Sequence, residues 1–468
     1  MTEKIRASLR DSKTARWFAL GLISLTMFFA YFFVDVASPI KNQFEINYHW
    51  SSEVFGFYGG MEFFFNVFLG FLIISGIILD KMGIRFTLIT SGLTMVAGGF
   101  LKFYALKFID PISVSSVFGY ELPTTALYAC IGFAVFGVGV EMAGITVSKT
   151  IVKWFKGREL ALAMGLEMAI ARLGVFAVMW LSPIFANNGS SIPSEWTTAN
   201  AYLWGLVFLT IGLLTFFIYT FMDVKLEKEI GDSEKTEGEE EFKVSDIGKI
   251  FANPGFLAIA GLCVLFYSAI FPFQRFATEM LSGKLGIDAK EAARYVSMFP
   301  IGAMILTPFI GFFLDAKGKG ASMMVYGAIL LTISHLIFAL VPSAAFTPII
   351  AVITIVILGI AFSLVPASMW PSLPKIVEDR YLGSAYGVIF WIQNMGLFGV
   401  PILIGYALSK SNPEVVAAIQ RGETAVYNYT VPELIFASFG GLAIILSIIL
   451  KRIDKKKGYG LDIPNKKK

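Results

Sequence analysis

Hydrophobic and polar segments alternate along this chain, and each hydrophobic segment is about long enough to cross a membrane. Apolar runs of spanning length recur from end to end and are separated by short polar or charged turns. A helix needs about 20 mostly apolar residues to cross the hydrocarbon core of a bilayer. Such runs lie near residues 17–38, 53–79, 86–108, 123–150, 159–186, 200–222, 255–282, 291–314, 321–341, 346–370, 381–409 and 430–450. The pattern therefore predicts an all-α polytopic membrane protein with twelve transmembrane helices.

The composition agrees with that prediction and argues against other classes of protein. With 56% hydrophobic and 15% charged residues among 468, the chain is too apolar for a soluble globular domain. Its two cysteines and two histidines have neither disulfide nor metal-ligand spacing, so we expect no metal site and no cofactor. Because no nucleophile with a nearby base stands out either, we do not expect an enzyme.

Lysine and arginine cluster in alternate loops, which sets the predicted orientation. The clusters lie in the amino-terminal tail, in the turns Lys81–Arg85 and Lys153–Arg158, around Lys319 and Arg380, and in the tail from Lys451. Basic loops of membrane proteins are retained preferentially in the cytoplasm. We therefore predict cytoplasmic termini and a multi-pass protein of a bacterial inner membrane.

A charged low-complexity tract between the sixth and seventh runs divides the chain. It extends from Asp223 to Val244, and its composition is typical of a solvated linker. The predicted units are a cytoplasmic tail, a six-helix bundle, a charged cytoplasmic linker, a second six-helix bundle and a Lys-rich tail, over residues 1–16, 17–222, 223–254, 255–450 and 451–468.

The two halves repeat each other in sequence, which predicts pseudo-symmetric bundles. Gly76, Asp80 and Gly83 recur with the same spacing as Gly311, Asp315 and Gly318. Glycines allow helices to approach closely at a tight turn, and the aspartate can cap a helix or pair with a basic residue. We predict that Gly76, Asp80, Gly83, Arg85, Asp315 and Gly318 take part in gating; an ordinary helix cap is the alternative.

A second correspondence relates the fifth and eleventh helices in one constant register. In this register the position of Arg172 in the fifth helix is equivalent to that of Asn394 in the eleventh. The same register pairs Arg158, Leu160, Ala163, Gly165 and Gly174 with Arg380, Leu382, Ala385, Gly387 and Gly396. In membrane proteins built from two repeated halves, a binding site is expected near the midplane, between the halves.

Two opposite charges lie deep in the predicted membrane. The basic turn starts at Trp154 and ends at Arg158. Glu141 lies almost as many residues before its start as Arg172 lies after its end. At the helical rise, both lie roughly 20 Å from the same membrane face. Charges at that depth are costly and indicate function, so we predict that each is the partner of the other. A carboxylate and a guanidinium across a cavity suit a zwitterionic ligand, whereas the alternative is an ion pair that only joins two helices.

Other polar or aromatic side chains at similar depth are further candidates for substrate binding. They are Tyr31, Asn66, Tyr267, His335, Trp370, Gln393 and Asn394. The amides can instead join helices, the aromatic rings can be core packing, and a packed neutral ring is the alternative for His335. Glu167 lies five residues before Arg172 and points to a different helix face, so we expect it near the site but not in direct contact with the ligand. Nearer the opposite membrane face, the candidates for an outer gate are Asp35, Glu62, Arg275 and Glu279.

The duplicated glycine-aspartate motif resembles the signature of the major facilitator superfamily. Other segments resemble one of its branches, the lysosomal dipeptide uniporters of animals and their bacterial relatives. Those segments are Tyr31-Phe32-x-x-Asp35, Trp154-Phe155-Lys156-Gly157-Arg158-Glu159-Leu160, Ala171-Arg172-x-Gly174, Phe271-Pro272-Phe273, Trp370-Pro371, Leu382-Gly383-x-Ala385-Tyr386-Gly387 and Ile392-Gln393-Asn394-x-Gly396-Leu397.

The resemblance implies facilitated transport of dipeptides with free termini. In that family an acid of the fourth helix and an arginine of the fifth line the site, and Glu141 and Arg172 occupy the matching positions. It implies that Glu141 binds the peptide ammonium and that Arg172, with Asn394 or Gln393, binds the carboxylate. Phe133 stands where the wider superfamily has an arginine associated with proton coupling, which favours a uniporter.

Two other functions are compatible with the sequence. The first is proton- or sodium-coupled transport of an organic anion or amino acid, in which Arg172 binds the carboxylate and Glu141 titrates. The second is a membrane sensor that transports nothing and signals through its acidic linker or its tail. The expected partners are the lipid bilayer and a dipeptide or similar small zwitterion. We expect no nucleic acid and a monomeric protein; the animal relative has an accessory subunit, for which this sequence gives no indication.

Overall fold

A computed structural model describes residues 9–117, 119–155, 159–187, 195–230, 247–421, 423 and 425–464. The N half contains α1 (Lys13–Val34), α2 (Lys41–Tyr48), α3 (Ser52–Met61), α4 (Phe64–Leu69), α5 (Phe71–Phe108), β1 (Val114–Val117), β2 (Tyr120–Pro123), α6 (Thr124–Phe155), α7 (Leu160–Asn187) and α8 (Glu195–Ile230). The C half contains α9 (Ile247–Phe251), α10 (Pro254–Leu285), α11 (Ala289–Val296), α12 (Met298–Lys317), α13 (Gly320–Leu340), α14 (Pro348–Ile376), α15 (Leu382–Ser411), α16 (Pro413–Gln420) and α17 (Thr430–Lys457). Short 3-10 turns lie at Leu9–Asp11, Ser38–Ile40, Ser343–Ala345 and Asp379–Tyr381.

The helices confirm the predicted class of membrane protein. In the described part of the chain, ten segments are long and apolar enough to cross a membrane. They match the predicted runs except the second and third, which correspond to α3, α4 and α5. An antiparallel hairpin of β1 with β2 lies between α5 and α6. Residues 231–246, half of the predicted linker, and Lys156–Arg158 of the basic turn lie outside the described residues.

The second predicted run is not one continuous helix. Its helix stops at Met61 and resumes at Phe64, and it breaks again at Gly70, which has a φ of 59°. The first break faces Gly137 of α6. The two backbones are so close that a Cβ atom added to Gly137 would lie 2.8 Å from the Glu62 carbonyl carbon. Close approach of α6 therefore coincides with the interruption, which leaves Glu62 at a helix end inside the bundle.

The repeated glycine-aspartate motif has equivalent backbone geometry in both halves. Gly83 has a φ of 80° within the kink of α5, and Gly318 has a φ of 73° between α12 and α13. Residues other than glycine rarely adopt such angles. The expected close helix contact at Gly76 and Gly311 is wrong, because a Cβ at either position meets nothing within 4 Å. The motif works here through the turn and not through close helix packing.

The second repeat is also visible in the packing. α7 begins at Leu160 and α15 begins at Leu382, and these two residues are paired by the register found in the sequence. A Cβ on Gly174 would lie 3.1 Å from the backbone nitrogen of Phe32 in α1. In the C half, a Cβ on Gly396 would lie 2.6 Å from Val264 of α10. Equivalent glycines thus bring equivalent helices together.

The halves contact each other most closely at one end of the bundle. We call the end at which α6 and α12 terminate the basic end, and the opposite end the far end. At the far end α3 packs against α15 through glycines: a Cβ on Gly56 would lie 3.1 Å from the Gly405 Cα, and a Cβ on Gly405 would lie 3.1 Å from the Glu53 Cα. These contacts close the far end.

Enlarging one of these glycines is expected to prevent that closure. Gly405→Val places a branched side chain against the backbone of α3, and overpacking of this kind costs about 1–3 kcal/mol. We therefore expect the far end to open in about tenfold more molecules, measured as labelling of an engineered far-end cysteine by a membrane-impermeant maleimide. Gly399→Val is the matched control on the same helix, because a Cβ there meets nothing within 4 Å. Equal labelling of the two variants would contradict the assignment.

Candidate substrate-binding site

Charged side chains on two helices of the N half lie within electrostatic reach of one tyrosine. The charges of Glu141 on α6 and of Glu167 and Arg172 on α7 all act on the hydroxyl of Tyr31 on α1. Tyr31 is 36% exposed, and the three charged side chains are half-buried. The structure therefore places the predicted residues Glu141 and Arg172 within electrostatic reach of Tyr31, and Glu167, expected near the site, joins them.

Arg172 also reaches across to the C half. Its guanidinium carbon lies 4.7 Å from the ring centroid of Phe362 on α14. The hydroxyl of Tyr267 on α10 also lies within its electrostatic reach. A guanidinium over an aromatic face is favourable, and more so where water is excluded. Arg172 is therefore held between the two halves.

The expected direct partnership of Glu141 and Arg172 is wrong for this conformer. Within the described residues, the two side chains form no ion pair within 4.0 Å. The physical reason is that the Arg172 guanidinium stacks on Phe362, while the charge that acts on Glu141 comes from Glu62. The reading of these two residues as a simple clamp between helices therefore has no support. Neither charge is therefore neutralised by the other in this conformer.

The C half contributes an aromatic wall. Tyr267 stacks on Phe271 with ring centroids 5.6 Å apart and an interplanar angle of 20°. The indole nitrogen of Trp370 donates a hydrogen bond of 3.1 Å to the Tyr267 hydroxyl. Tyr267 also makes an edge contact with Phe362 at 6.2 Å. The predicted residues Tyr267 and Trp370 thus belong to one cluster that faces Arg172.

The predicted amides are buried, and none has a described hydrogen bond to Arg172. Asn66 is 2% exposed, and within the described residues neither its amide nitrogen nor its oxygen has a hydrogen-bond partner. Gln393 accepts a long contact of 3.8 Å from Cys263, and Asn394 is 4% exposed. No described hydrogen bond connects Gln393 or Asn394 to Arg172. Asn66 is thus a fully buried amide with unused hydrogen-bonding capacity.

His335 lies away from the other candidates, in the interior of the C half. It is 0% exposed, and its Nδ1 lies 2.7 Å from a carboxylate oxygen of Glu433 on α17. The rings of Phe273 and Phe436 lie 5.1 and 5.2 Å from it. The geometry matches the alternative of a packed ring and not that of a ligand-contacting side chain.

The four outer-gate candidates all take part in contacts between the halves at the far end. Arg275 of the C half forms an ion pair with Glu62 of the N half, and both side chains are less than a tenth exposed. Gln274 donates a hydrogen bond of 3.3 Å to Asp35. The remaining candidate, Glu279, accepts hydrogen bonds of 2.8 and 2.9 Å from Lys41.

Lys41, which does not stand out in the sequence, is the centre of this far-end network. Its ammonium also donates a hydrogen bond of 2.8 Å to Ser52 and lies 3.7 Å from Glu45. From the C half, Tyr427 donates a hydrogen bond of 2.5 Å to Glu45, and Tyr429 donates one to Glu279. The signal was weak because Lys41 follows the first apolar run and resembles an ordinary loop residue.

At the basic end, the predicted gating residues of the N half form ion pairs within that half. Lys149 of α6 lies 2.5 Å from Asp80, and both are exposed. Arg85 pairs with Glu227 and lies 3.6 Å from Asp223, which also accepts from Lys153 at 2.7 Å. Asp80 therefore pairs with a helical lysine in this conformer and does not cap a helix. In the described part of the chain, no group of His, Cys, Asp and Glu could hold a metal ion.

Comparisons with known proteins agree with this architecture. The model of the Major Facilitator Superfamily matches residues 23–401 and 275–466. The lysosomal dipeptide transporter MFSD1 of Bos taurus is 26% identical over 343 residues, which are 72% of this chain and 68% of that protein. The same transporter of Pongo abelii is 25% identical over 468 residues, covering 96% of this chain and 88% of its own length.

Solved transporters share the fold at lower identity. The nucleoside transporter NupG superposes with a TM-score of 0.66 at 13% identity, over 93% of this chain and 99% of that chain. A bacterial homologue of the human lysosomal transporter Spinster, inward-facing and occupied, gives 0.68 at 14% identity, over 95% and 98%. Since the family model matches most of the chain and the helices form the two expected halves, the chain belongs to the Major Facilitator Superfamily and is a multi-pass membrane transporter.

Proposed function

We propose that this transporter carries dipeptides or similar small zwitterions as a uniporter, by alternating access. The observation that carries the proposal is the pair Glu141 and Arg172. They are half-buried opposite charges that share the surroundings of Tyr31 and, within the described residues, form no ion pair with each other. A ligand with an ammonium and a carboxylate satisfies both charges at once. The named function of the MFSD1 relatives supports the same substrate class.

In this account Glu141 binds the substrate ammonium, and Arg172 binds the carboxylate. Glu167 adds negative charge on the ammonium side, and Tyr31 and Tyr267 offer hydroxyls next to the charged groups. The ring of Phe362 orients the guanidinium, which favours bidentate binding of a carboxylate. Asn66, Gln393 and Asn394 are proposed to bind the peptide amide or carboxylate once substrate draws the halves together.

The described conformer is proposed to be open to the cytoplasm. The far end is closed by the Glu62–Arg275 and Lys41–Glu279 ion pairs and by the contact of α3 with α15. The basic end carries the positive residues that remain in the cytoplasm. We therefore place both termini in the cytoplasm of a bacterial cell and the protein in the inner membrane. Far-end residues Asp35, Glu62, Arg275 and Glu279 then act as the outer gate.

A coupled symporter of an organic anion or amino acid is the second candidate. It is favoured by one observation: Glu141 and Glu167 are half-buried, and neither has a basic partner within 4.0 Å among the described residues. One of these carboxylates would then carry the coupling proton. The apolar Phe133 in the fourth span favours uniport.

A thermal-shift panel on the purified protein tests the substrate class. Any ligand that binds only the folded protein raises the midpoint temperature of unfolding. At a ligand concentration of a hundred times the dissociation constant, the folded protein gains about 2.7 kcal/mol of stability. We expect dipeptides with free termini to raise the midpoint more than single amino acids or organic acids do. If organic acids alone stabilise the protein, the dipeptide assignment is wrong.

Glu141→Gln is expected to weaken binding of substrates with a free amine selectively. The variant retains the size of the side chain but loses the charge-assisted hydrogen bond, which is worth about 1.5–3 kcal/mol. The dissociation constant of a free dipeptide should rise about tenfold or more, whereas that of its N-acetylated form should change little. Titration calorimetry with both ligands provides the measurement, and Glu53→Gln, at an exposed position of α3, is the control. Equal losses for both ligands would remove Glu141 from the ammonium site.

A further inference from the structure

A fully buried lysine lies in the N half and has no role in the proposed site. Lys102 of α5 is 0% exposed, and within the described residues its ammonium has no hydrogen-bond partner. Aromatic rings surround it. The ring centroids lie 3.7 Å from the ammonium for Phe133, 4.6 Å for Phe33, and 5.3 Å for Tyr58, Phe136 and Tyr202.

Such a position is costly for a lysine. A buried charge is normally paired with an opposite charge, and Lys102 forms no ion pair within 4.0 Å in the described structure. Attraction to aromatic faces replaces part of the lost hydration. Any hydrophobic side chain would fill the same space more cheaply, so packing alone does not explain the choice of lysine.

The surroundings of Lys102 connect it to the outer gate. The ring of Phe133 also contacts a second cation, since the guanidinium carbon of Arg275 lies 5.3 Å from its centroid. Arg275 in turn pairs with Glu62. The charges of Glu62 and Asp35 both act on Lys102. One buried carboxylate, Glu62, therefore has two cations near it, and only one of them pairs with it in this conformer.

The two cations belong to different halves of the protein. Glu62, Phe133 and Lys102 lie on α3–α6 of the N half, whereas Arg275 lies on α10 of the C half. Opening of the far end therefore separates Arg275 from Glu62 and leaves Lys102 where it is. Removal of one partner of a buried ion pair is strongly destabilising, because it leaves an uncompensated charge.

We propose that Lys102 is the alternative partner of Glu62 in the conformer that is open at the far end. Glu62 pairs with Arg275 while the far end is closed and exchanges it for Lys102 when the halves separate. The four-carbon stem of lysine has freely rotatable bonds, so the ammonium moves from the ring of Phe133 toward Glu62 without backbone movement. Lys102 thereby lowers the cost of opening, and it is a positioning residue that never contacts the substrate.

This inference goes beyond the proposed function and does not depend on the identity of the cargo. It requires only alternating access, so its test needs no substrate. Failure of the dipeptide assignment leaves it untouched, and its own failure leaves the substrate site untouched.

The test measures the distance between spin labels across the far end. Labels at Tyr120→Cys in the N-half hairpin and Ser343→Cys in the C half occupy exposed positions, while the native Cys130 and Cys263 are buried. Opening of the far end lengthens the distance. Lys102→Met is expected to reduce the long-distance population of the full-length protein in lipid at least about tenfold, since Glu62 then has no partner in the open state. An unchanged population overturns the proposal.

A double-variant comparison separates this role from mere packing. In a Glu62→Gln background there is no charge to compensate, so adding Lys102→Met should not change the distance distribution further. A further decrease in that background shows that Lys102 acts independently of Glu62 and overturns the proposal. If Lys102→Met alone does not fold, the double variant decides: a folded double variant supports the coupling, and an unfolded one assigns Lys102 to packing.

Discussion

Arg172→Ala is expected to reduce uptake of a labelled dipeptide at least about a hundredfold in proteoliposomes. The guanidinium is the basic group at the centre of the proposed site, held over Phe362 and next to the hydroxyls of Tyr31 and Tyr267. Its removal leaves the substrate carboxylate without a basic partner when the halves close around it. Breaking a buried charge pair in this way costs about 3–5 kcal/mol, and each 1.4 kcal/mol is about tenfold in affinity.

The protein itself should remain folded in this variant. Arg172 forms no ion pair within the described residues, and alanine is the best helix former for its position in α7. Arg452→Ala, at an exposed position of α17, is the matched control and should transport normally. Near-normal uptake by a folded Arg172→Ala protein would exclude this arginine from the substrate site.

Lys41→Met is expected to open the far end in most molecules. The lysine ammonium is the cation of a buried network that contains Glu45 of the N half and Glu279 of the C half. Without it, the buried carboxylate of Glu45 and the partly buried one of Glu279 face each other across the closed far end. The closed conformer should lose about 3 kcal/mol, which shifts the equilibrium between the two conformers about a hundredfold toward the open one.

Spin labels at Tyr120→Cys and Ser343→Cys report this shift as a larger long-distance population. Lys410→Met is the control, because this lysine is exposed near the end of α15 and its ammonium lies over Tyr406. A distribution that stays at the short distance in Lys41→Met would show that other contacts, such as the glycine contacts of α3 with α15, hold the far end closed on their own.

Much of the fold followed from the sequence because the bilayer imposes it. Apolar length predicted the helices, and the two repeated motifs, each in its own constant register, predicted the two halves. The break at Glu62 was not predictable in this way. Neither Gly nor Pro occupies positions 62 and 63, and the interruption coincides with close packing against Gly137 of a different helix.

The sequence predicted how deep in the membrane the candidate site lies, but not which side chains contact each other there. Counting along the helices placed Glu141 and Arg172 at one level, and the structure brings both near Tyr31. Counting does not say which helices face each other, so Phe362, one of 45 phenylalanines, did not stand out. The stacking of Arg172 on that ring is a contact between the halves, and it replaced the expected ion pair.

Lys102 illustrates a signal that was present and was not used. It is a charged residue inside the third apolar run, and the depth argument that selected Glu141 applies to it equally. Its proximity to Lys107 at the end of the run made it resemble a residue of the membrane boundary. Only the structure shows that it points inward, among five aromatic rings.

Counterflow in proteoliposomes tests the central claim most directly. Vesicles with purified protein are loaded with an unlabelled dipeptide and diluted into a trace of the labelled one, with and without an imposed pH gradient. We predict that label accumulates transiently, then returns to equal concentrations on both sides, and that the pH gradient changes neither phase. Absence of exchange would contradict transport of dipeptides, and steady accumulation driven by the pH gradient would contradict uniport.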